Sequence, residues 1–270
     1  MNYQIAIPSY KRHNYVISQS LQTLKTLGSD LSNVTVFVAD KEEKFIYDTA
    51  IEGVGLKVAT VVGVPGLLKQ RRWYNTEYYS EGTPILNMDD DVAGLFQKDG
   101  EKKFKPMEMP IDDFALKGFE FCEEYGARLW GINAVLNGFF MKNTVTVGLR
   151  YICGIFHGTY AGDPTLCGPQ RFMESSGEDF ENTLAHYTEY GKVIRFDGVA
   201  PKTKYFAPGG IQAEIGGDKS TRNEDHSLQL SNIAYRYPDL CKLVEKAGGI
   251  HNIRCKTLTE AKVDWSPTGL

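Results

Sequence analysis

The chain has 270 residues, 42% of them hydrophobic, and a formal net charge of −4. That is enough apolar material for one large α/β domain, and it argues against disorder and against a protein whose whole surface is built for nucleic acid. No apolar run reaches the roughly 18 residues of a membrane span, and the N-terminus enters a strand with no basic leader. The five cysteines have no metal-ligand spacing. A cytoplasmic chain with reduced thiols and no membrane contact is expected.

Residues 3–7 read as a strand that ends at Pro8-Ser9. Helical spacing over 14–27 closes on Gly28 as a C-cap. A β-branched strand at 34–39 runs into Asp40, and a helix follows from Glu42 to Ile51. A third strand at 56–62 and a helix at 67–79 come next. Gly82 and Pro84 then mark a turn into a short apolar strand at 84–88, which ends in Asp89-Asp90-Asp91. Strand–helix alternation with strands apolar on both faces predicts a mostly parallel, Rossmann-type sheet flanked by helices. The segment 97–110 reads as a mobile loop, and 111–126 as an amphipathic helix. The rest is more β-like, with strand character at 129–132, 139–141, 149–156 and 193–196, a helix at 177–190, and two helical pieces over 224–247 broken near Pro238. The Gly-rich stretch 206–223 suits a ligand lid. Residues 1–95 are expected to form a nucleotide-binding-type half, and 96–270 a more β-rich half, of a single domain. Neither a Gly-x-Gly-x-x-Gly turn nor a Walker lysine loop is present.

Five constellations carry chemistry. The acids Asp89, Asp90 and Asp91 stand where open α/β sheets place their ligands. Three adjacent like charges need a cation, and a divalent metal that also carries a phosphorylated ligand supplies it; an acidic surface turn would look alike. The loop Pro8, Ser9, Tyr10, Lys11 and Arg12 offers a hydroxyl, an aromatic ring and two cations for a base and a phosphate. Asp40 could accept hydrogen bonds from a base or ribose. On the helix before the acids, Lys69, Arg71, Arg72 and Asn75 carry side chains for a diphosphate or an ion pair. The i,i+3 pairs Lys69/Arg72 and Arg72/Asn75 put three of these on one face. Glu178 and Asp179 open a helix, where acids suit the macrodipole or supply a general base. His226 follows the Gly-rich stretch as a candidate third metal ligand, or as a structural histidine.

The ordered set Pro-Ser-Tyr-Lys-Arg, Asp40, the Arg- and Asn-bearing helix, Asp-x-Asp and Gly-Glu-Asp resembles the GT-A glycosyltransferases over residues 3–197. The resemblance implies a GT-A-like fold, a nucleotide-sugar donor (a UDP-sugar first) and Mn2+ or Mg2+ held by Asp89 and Asp91, with His226 completing the shell. It implies Asp179 as the base, Glu178 as second choice, and an inverting hexosyl transfer. Donor contacts fall to Pro8, Ser9, Tyr10, Arg12, Asp40, Lys69, Arg72, Asp89 and Asp90. A narrower similarity, carried by Trp130-Gly131-Ile132-Asn133, Asn137-Gly138-Phe139-Phe140-Met141 and Leu149-Arg150-Tyr151-Ile152-Cys153-Gly154, is to the TET-associated glycosyltransferases of tailed phages. It implies a 5-hydroxymethylpyrimidine acceptor in DNA, with the basic clusters at 102–105, 202–204 and 219–222 on phosphates. A glycan, lipid or protein acceptor, and a nucleotidyltransferase with a similar metal site, are the rival readings.

Overall fold

The computed structural model describes residues 2–167, 177–203, 219–246 and 250–268. Strands β1 (Gln4–Pro8), β2 (Val34–Val38) and β3 (Ala59–Val62) alternate with helices α1 (13–26) and α2 (Lys41–Gly53), and α3 (67–78) leads into β4 (Pro84–Met88). The hairpin β5 (Val92–Asp99) and β6 (Lys103–Pro106), helix α4 (Ile111–Tyr125), and strands β7 (Trp130–Ile132), β8 (Thr144–Leu149) and β9 (Phe156–Tyr160) follow. Then come α5 (Pro164–Cys167), α6 (Glu178–Tyr190), β10 (Val193–Phe196), β11 (Val199–Thr203), α7 (Lys219–Arg236), β12 (Cys241–Lys246), β13 (Ile250–Cys255) and β14 (Leu258–Asp264).

Nine strands make one sheet in the order β14-β8-β10-β7-β9-β4-β1-β2-β3. The pairs β1–β2, β2–β3, β1–β4 and β7–β10 are parallel; β8 and β9 pair antiparallel with every neighbour. Seven of the nine strands therefore point one way, and the expected α/β architecture with a more β-rich second half is borne out. β1 and β2 are buried along almost their whole length, as strands covered on both faces must be. The chain steps outward from β1 to β2 to β3, then returns to the far side of β1 as β4. That reversal opens a crevice beyond the carboxyl ends of β1 and β4, where this architecture binds ligands.

Four expectations change. The segment 97–110 is no loop: it closes the β5–β6 hairpin, with Asp99 opposite Lys103, because strands flanking a turn at Gly100 can pair locally. Residues 139–141 lie in the turn before β8, and β8 stops at Leu149, so that 150–155 form a loop ahead of β9. The second helical piece over 224–247 is instead β12, which pairs residue for residue with β13 from Cys241↔Cys255 to Lys246↔Ile250. A distant partner, absent from any local pattern, decides strand over helix there. The proposed lid over 206–223 falls largely outside the described residues.

Aromatic packing fixes the second half. Trp130 is fully buried and meets Phe114, Phe119, Phe156 and Phe196 at 5.6–6.0 Å between ring centroids. Gly118 on α4 and Gly158 on β9 make room for the indole: a Cβ at either would collide with it. Gly158→Ala should therefore destabilise the fold by about 1–3 kcal/mol, the usual range for an overpacked core. A urea titration reads this as a lower midpoint with unchanged slope; an unmoved midpoint would show that the indole can step aside.

Candidate active site

The crevice at the strand reversal is a cleft of about 580 Å³. Pro8, Ser9, Tyr10 and Arg12 wall it from β1, and Asp89, Asp90 and Asp91 from β4. The backbone of the acidic turn is held from two sides. From α1, Ser20 Oγ donates to the Asp89 carbonyl at 2.6 Å and Thr23 Oγ1 to the Val92 carbonyl at 2.8 Å. From the 150–155 loop, the Ile155 carbonyl accepts the Asp89 N–H at 2.9 Å. The three carboxylates are thus presented by a rigid frame.

Each acid has a different neighbour. Asp90, 5% exposed, accepts from Ser9 Oγ at 2.6 Å and from Arg12 Nη1 at 3.1 Å. Its two oxygens are thereby engaged in anchoring the β1 loop, and its cation is Arg12. Tyr47 completes that anchor, with its hydroxyl 2.7 Å from Ser9 Oγ and accepting the Arg12 N–H at 2.9 Å. Asp91 has a longer contact, 3.6 Å, to Arg12. Asp89 accepts from Arg71 Nη2 at 2.6 Å.

Arg71 is the cation that sequence reasoning passed over in favour of Arg72 and Lys69. It is 6% exposed, whereas Lys69 and Arg72 sit on the outer face of α3. Besides Asp89, it donates to the Gly154 carbonyl at 2.9 Å and pairs with Glu178 at the head of α6. The missed signal was the inward stripe of α3: Arg71 stands one turn from both Leu67 and Tyr74, so it shares their face. Gly154 allows the close approach, since a Cβ there would stand 3.0 Å from Arg71 Nη1.

Asp179 lies beside this bridge. Tyr151 Oη donates to its Oδ2, and the Phe180 N–H to its Oδ1 at 2.9 Å. Its charge reaches Asp89. Asp40 departs from expectation: it caps α2, accepting the Glu43 N–H at 2.9 Å, and does not line the cleft. His226 is on α7, and among the described residues no three His, Cys, Asp or Glu side chains gather in a metal-holding group. The trio Asp89, Asp91 and His226 is therefore not assembled. Among the described residues, no helix is long and apolar enough to cross a membrane.

Electrostatics favour a cation. Burial, opposed by Arg71 and helped by Asp90, lifts the Asp89 carboxyl to about 6. Burial and then the charges of Asp89 and Asp90 lift Asp91 to about 7. Burial raises Asp179 as well, against the hydrogen bond from Tyr151. Asp89 and Asp91 offer hard oxygen donors on an open cleft, which suits Mg2+ or Mn2+ completed by phosphate oxygens.

No family model matches the chain, and no curated protein does. Among solved structures, S. aureus TarS 1–349 aligns at 15% identity over 88% of this chain and 72% of that one, with a TM-score of 0.48. The same protein in complex with UDP-GlcNAc aligns at 16% identity over 88% and 73%, with a TM-score of 0.45. Glucosyl-3-phosphoglycerate synthase from Mycobacterium tuberculosis, in complex with Mn2+, UDP and glucosyl-3-phosphoglycerate, aligns at 10% identity over 97% and 89%, with a TM-score of 0.48. Likeness at this level says nothing about activity.

Two outcomes follow from the geometry. Arg71→Ala strands Glu178 and Asp89 and should cost on the order of 3 kcal/mol, since it removes one partner from a buried charge network. Arg72→Ala should stay within about 0.5 kcal/mol, as surface changes do; equal losses in chemical denaturation would overturn the assignment of Arg71. The raised acids also set a pH response. Their folded pKa values lie above the unfolded ones, so the stability they contribute is fullest at low pH and is lost as pH rises through 6 and 7. A bound divalent cation relieves that loss. The Mn2+-induced rise in melting temperature should thus be small near pH 5 and grow through pH 6–7; a pH-independent rise would count against the triplet as the metal site.

Proposed function

We propose that the protein is a metal-assisted GT-A glycosyltransferase that moves a sugar from a nucleotide-sugar donor, a UDP-sugar, to a hydroxyl. One observation carries the reading: Arg71 joins Asp89, in the wall of the cleft, to Glu178, the residue before Asp179. Donor site and candidate base are separate in sequence but share one cation.

The donor's base and ribose lie against the Pro8–Tyr10 loop and the apolar wall that includes Phe37 and Leu67. Arg12, already fixed by Asp90, adds positive charge on the diphosphate side. Asp89 and Asp91 would hold Mn2+ or Mg2+, which supplies screening of the negative charge that builds on the departing diphosphate. Asp179 takes the proton from the acceptor hydroxyl as its oxygen attacks the anomeric carbon and the bond to the diphosphate breaks, which inverts the configuration. Its raised pKa suits the role, because a more basic carboxylate accepts a proton more readily. Tyr151 and the Phe180 N–H each hold one carboxylate oxygen of Asp179, which fixes the orientation of the proposed base. Glu178, committed to Arg71, is a positioning residue in this scheme. The acceptor is a 5-hydroxymethylpyrimidine in DNA, a reading supported by the sequence motifs at 130–141 and 149–154.

Thermal shift with a panel of nucleotide sugars, with and without Mn2+, tests the donor half: one UDP-sugar should give a chelator-sensitive rise. Asp91→Ala should lose that rise and turnover together. Asp179→Asn should keep the rise and lose about 10²–10⁴-fold in transfer, the usual share of a general base. Full transfer by Asp179→Asn would remove it as the base, and pyrophosphate release in place of UDP would replace the reaction class.

A further inference from the structure

A second and larger concavity, an open groove of about 1590 Å³, is built from the turn before β8, the ends of β8 and β10, and strands β13 and β14. Its charge is opposite to that of the chain as a whole. Lys142, Arg150, Arg195, Arg254, Lys256 and Lys262 line it, against Asp197 as the one carboxylate of the lining. Asp197 is itself buried and taken by Arg195, at 2.6 Å and 2.7 Å, and by Thr144 at 3.2 Å. Five cations therefore face the groove without an acidic partner among its lining residues. Arg150 gives one nitrogen to Thr259 at 2.9 Å and leaves Nη1, a buried donor, without a hydrogen-bond partner.

Planar surfaces accompany the charge. Phe139 and Phe140, 65% and 62% exposed, stand edge to face at 5.1 Å on the groove's rim. Two large rings left in water are costly unless something covers them. Their turn is braced by the β5–β6 hairpin: Lys98 Nζ donates to the Gly138 carbonyl, and a Cβ at Gly138 would collide with the Lys102 carbonyl. The exposed Lys102 and Lys103 at the hairpin tip extend the basic surface past the rings. At its inner end the groove reaches Tyr151, which stacks on Phe180 at 4.5 Å and donates to Asp179.

We propose that this groove binds the acceptor as a single nucleic-acid strand, with phosphates on Arg150, Arg254, Lys256 and Lys262 and unstacked bases on Phe139 and Phe140. The proposal rests on the transferase reading for the delivery of a hydroxyl to Asp179, but strand binding itself does not. Cations alone would accept any polyanion. The paired rings select one with free planar faces, and a duplex keeps those faces inside its stack. The reacting nucleotide is therefore presented outside a helix, at the Tyr151 end.

Fluorescence anisotropy of the full chain with a labelled single-stranded oligodeoxynucleotide, without donor or metal, tests this. The single strand should bind at least tenfold tighter than the matching duplex and than inorganic polyphosphate of equal charge. Arg254→Glu with Lys256→Glu should weaken it at least tenfold and flatten the salt dependence by roughly 0.7 in slope per lost phosphate contact. Phe139→Ala with Phe140→Ala should weaken binding with the salt slope unchanged. Groove variants that bind like the parent, a preference for duplex, or equal capture of polyphosphate would each overturn the groove assignment while leaving transfer untouched. Strand binding without any sugar transfer would support the groove and overturn the transferase reading instead.

Discussion

The repulsion among Asp89, Asp90 and Asp91 is the constraint around which the first half of the molecule is arranged. Three adjacent carboxylates at a strand end, all three lifted toward neutrality by burial, are tolerable only if charge is brought to them. It comes from two directions. Arg12 arrives on the loop after β1 and takes Asp90, with a longer reach to Asp91. Arg71 arrives on α3 and takes Asp89. The middle acid is thereby spent on architecture, and the outer two are left with proton affinities that a cation can displace. The triplet thus divides into a central anchor and an outer pair.

Arg71 carries this arrangement into the second half. Its pairing with Glu178 and its bond to the Gly154 carbonyl tie the head of α6 and the 150–155 loop to the acidic turn. The same loop returns the favour through the Ile155 carbonyl and the Asp89 N–H. Two parts of the chain that share no local pattern are thus locked at one point, between the cleft and the proposed base. Networks of this kind stand or fall as a unit, because losing one member leaves the others buried and unpaired.

The charge distribution has a functional logic beyond that point. A chain with a net charge of −4 gathers three acids in the cleft, and in the groove five cations with no acidic partner among its lining residues. The acidic cleft and the basic groove have separate linings, and Tyr151 and Phe180 belong to the groove. Solvent screening dulls such fields beyond about 8–10 Å, so each site keeps its own character.

How much was legible in the chain follows from which interactions are local. The alternation of β1 to β4 with helices, the ligand crevice after β1 and β4, and the acids at 89–91 and 178–179 were all readable, because periodicity, turn residues and strand ends are properties of short segments. Asp40 looked like a ligand group because a capping acid and a binding acid occupy the same place after a strand; only its bond to the Glu43 N–H separates them. Arg71 and Arg72 are neighbours in sequence, and the orientation of α3 against β4 decides which is inside. Residues 241–246 became a strand because β13 pairs with them, and the groove exists because β8, β10, β13 and β14 converge. The sequence by itself determined the elements and the chemistry available at their ends. Tertiary structure alone decided which cation meets which acid and which surface carries the basic groove, since those depend on contacts between separate segments, as in the Arg71–Gly154 bond.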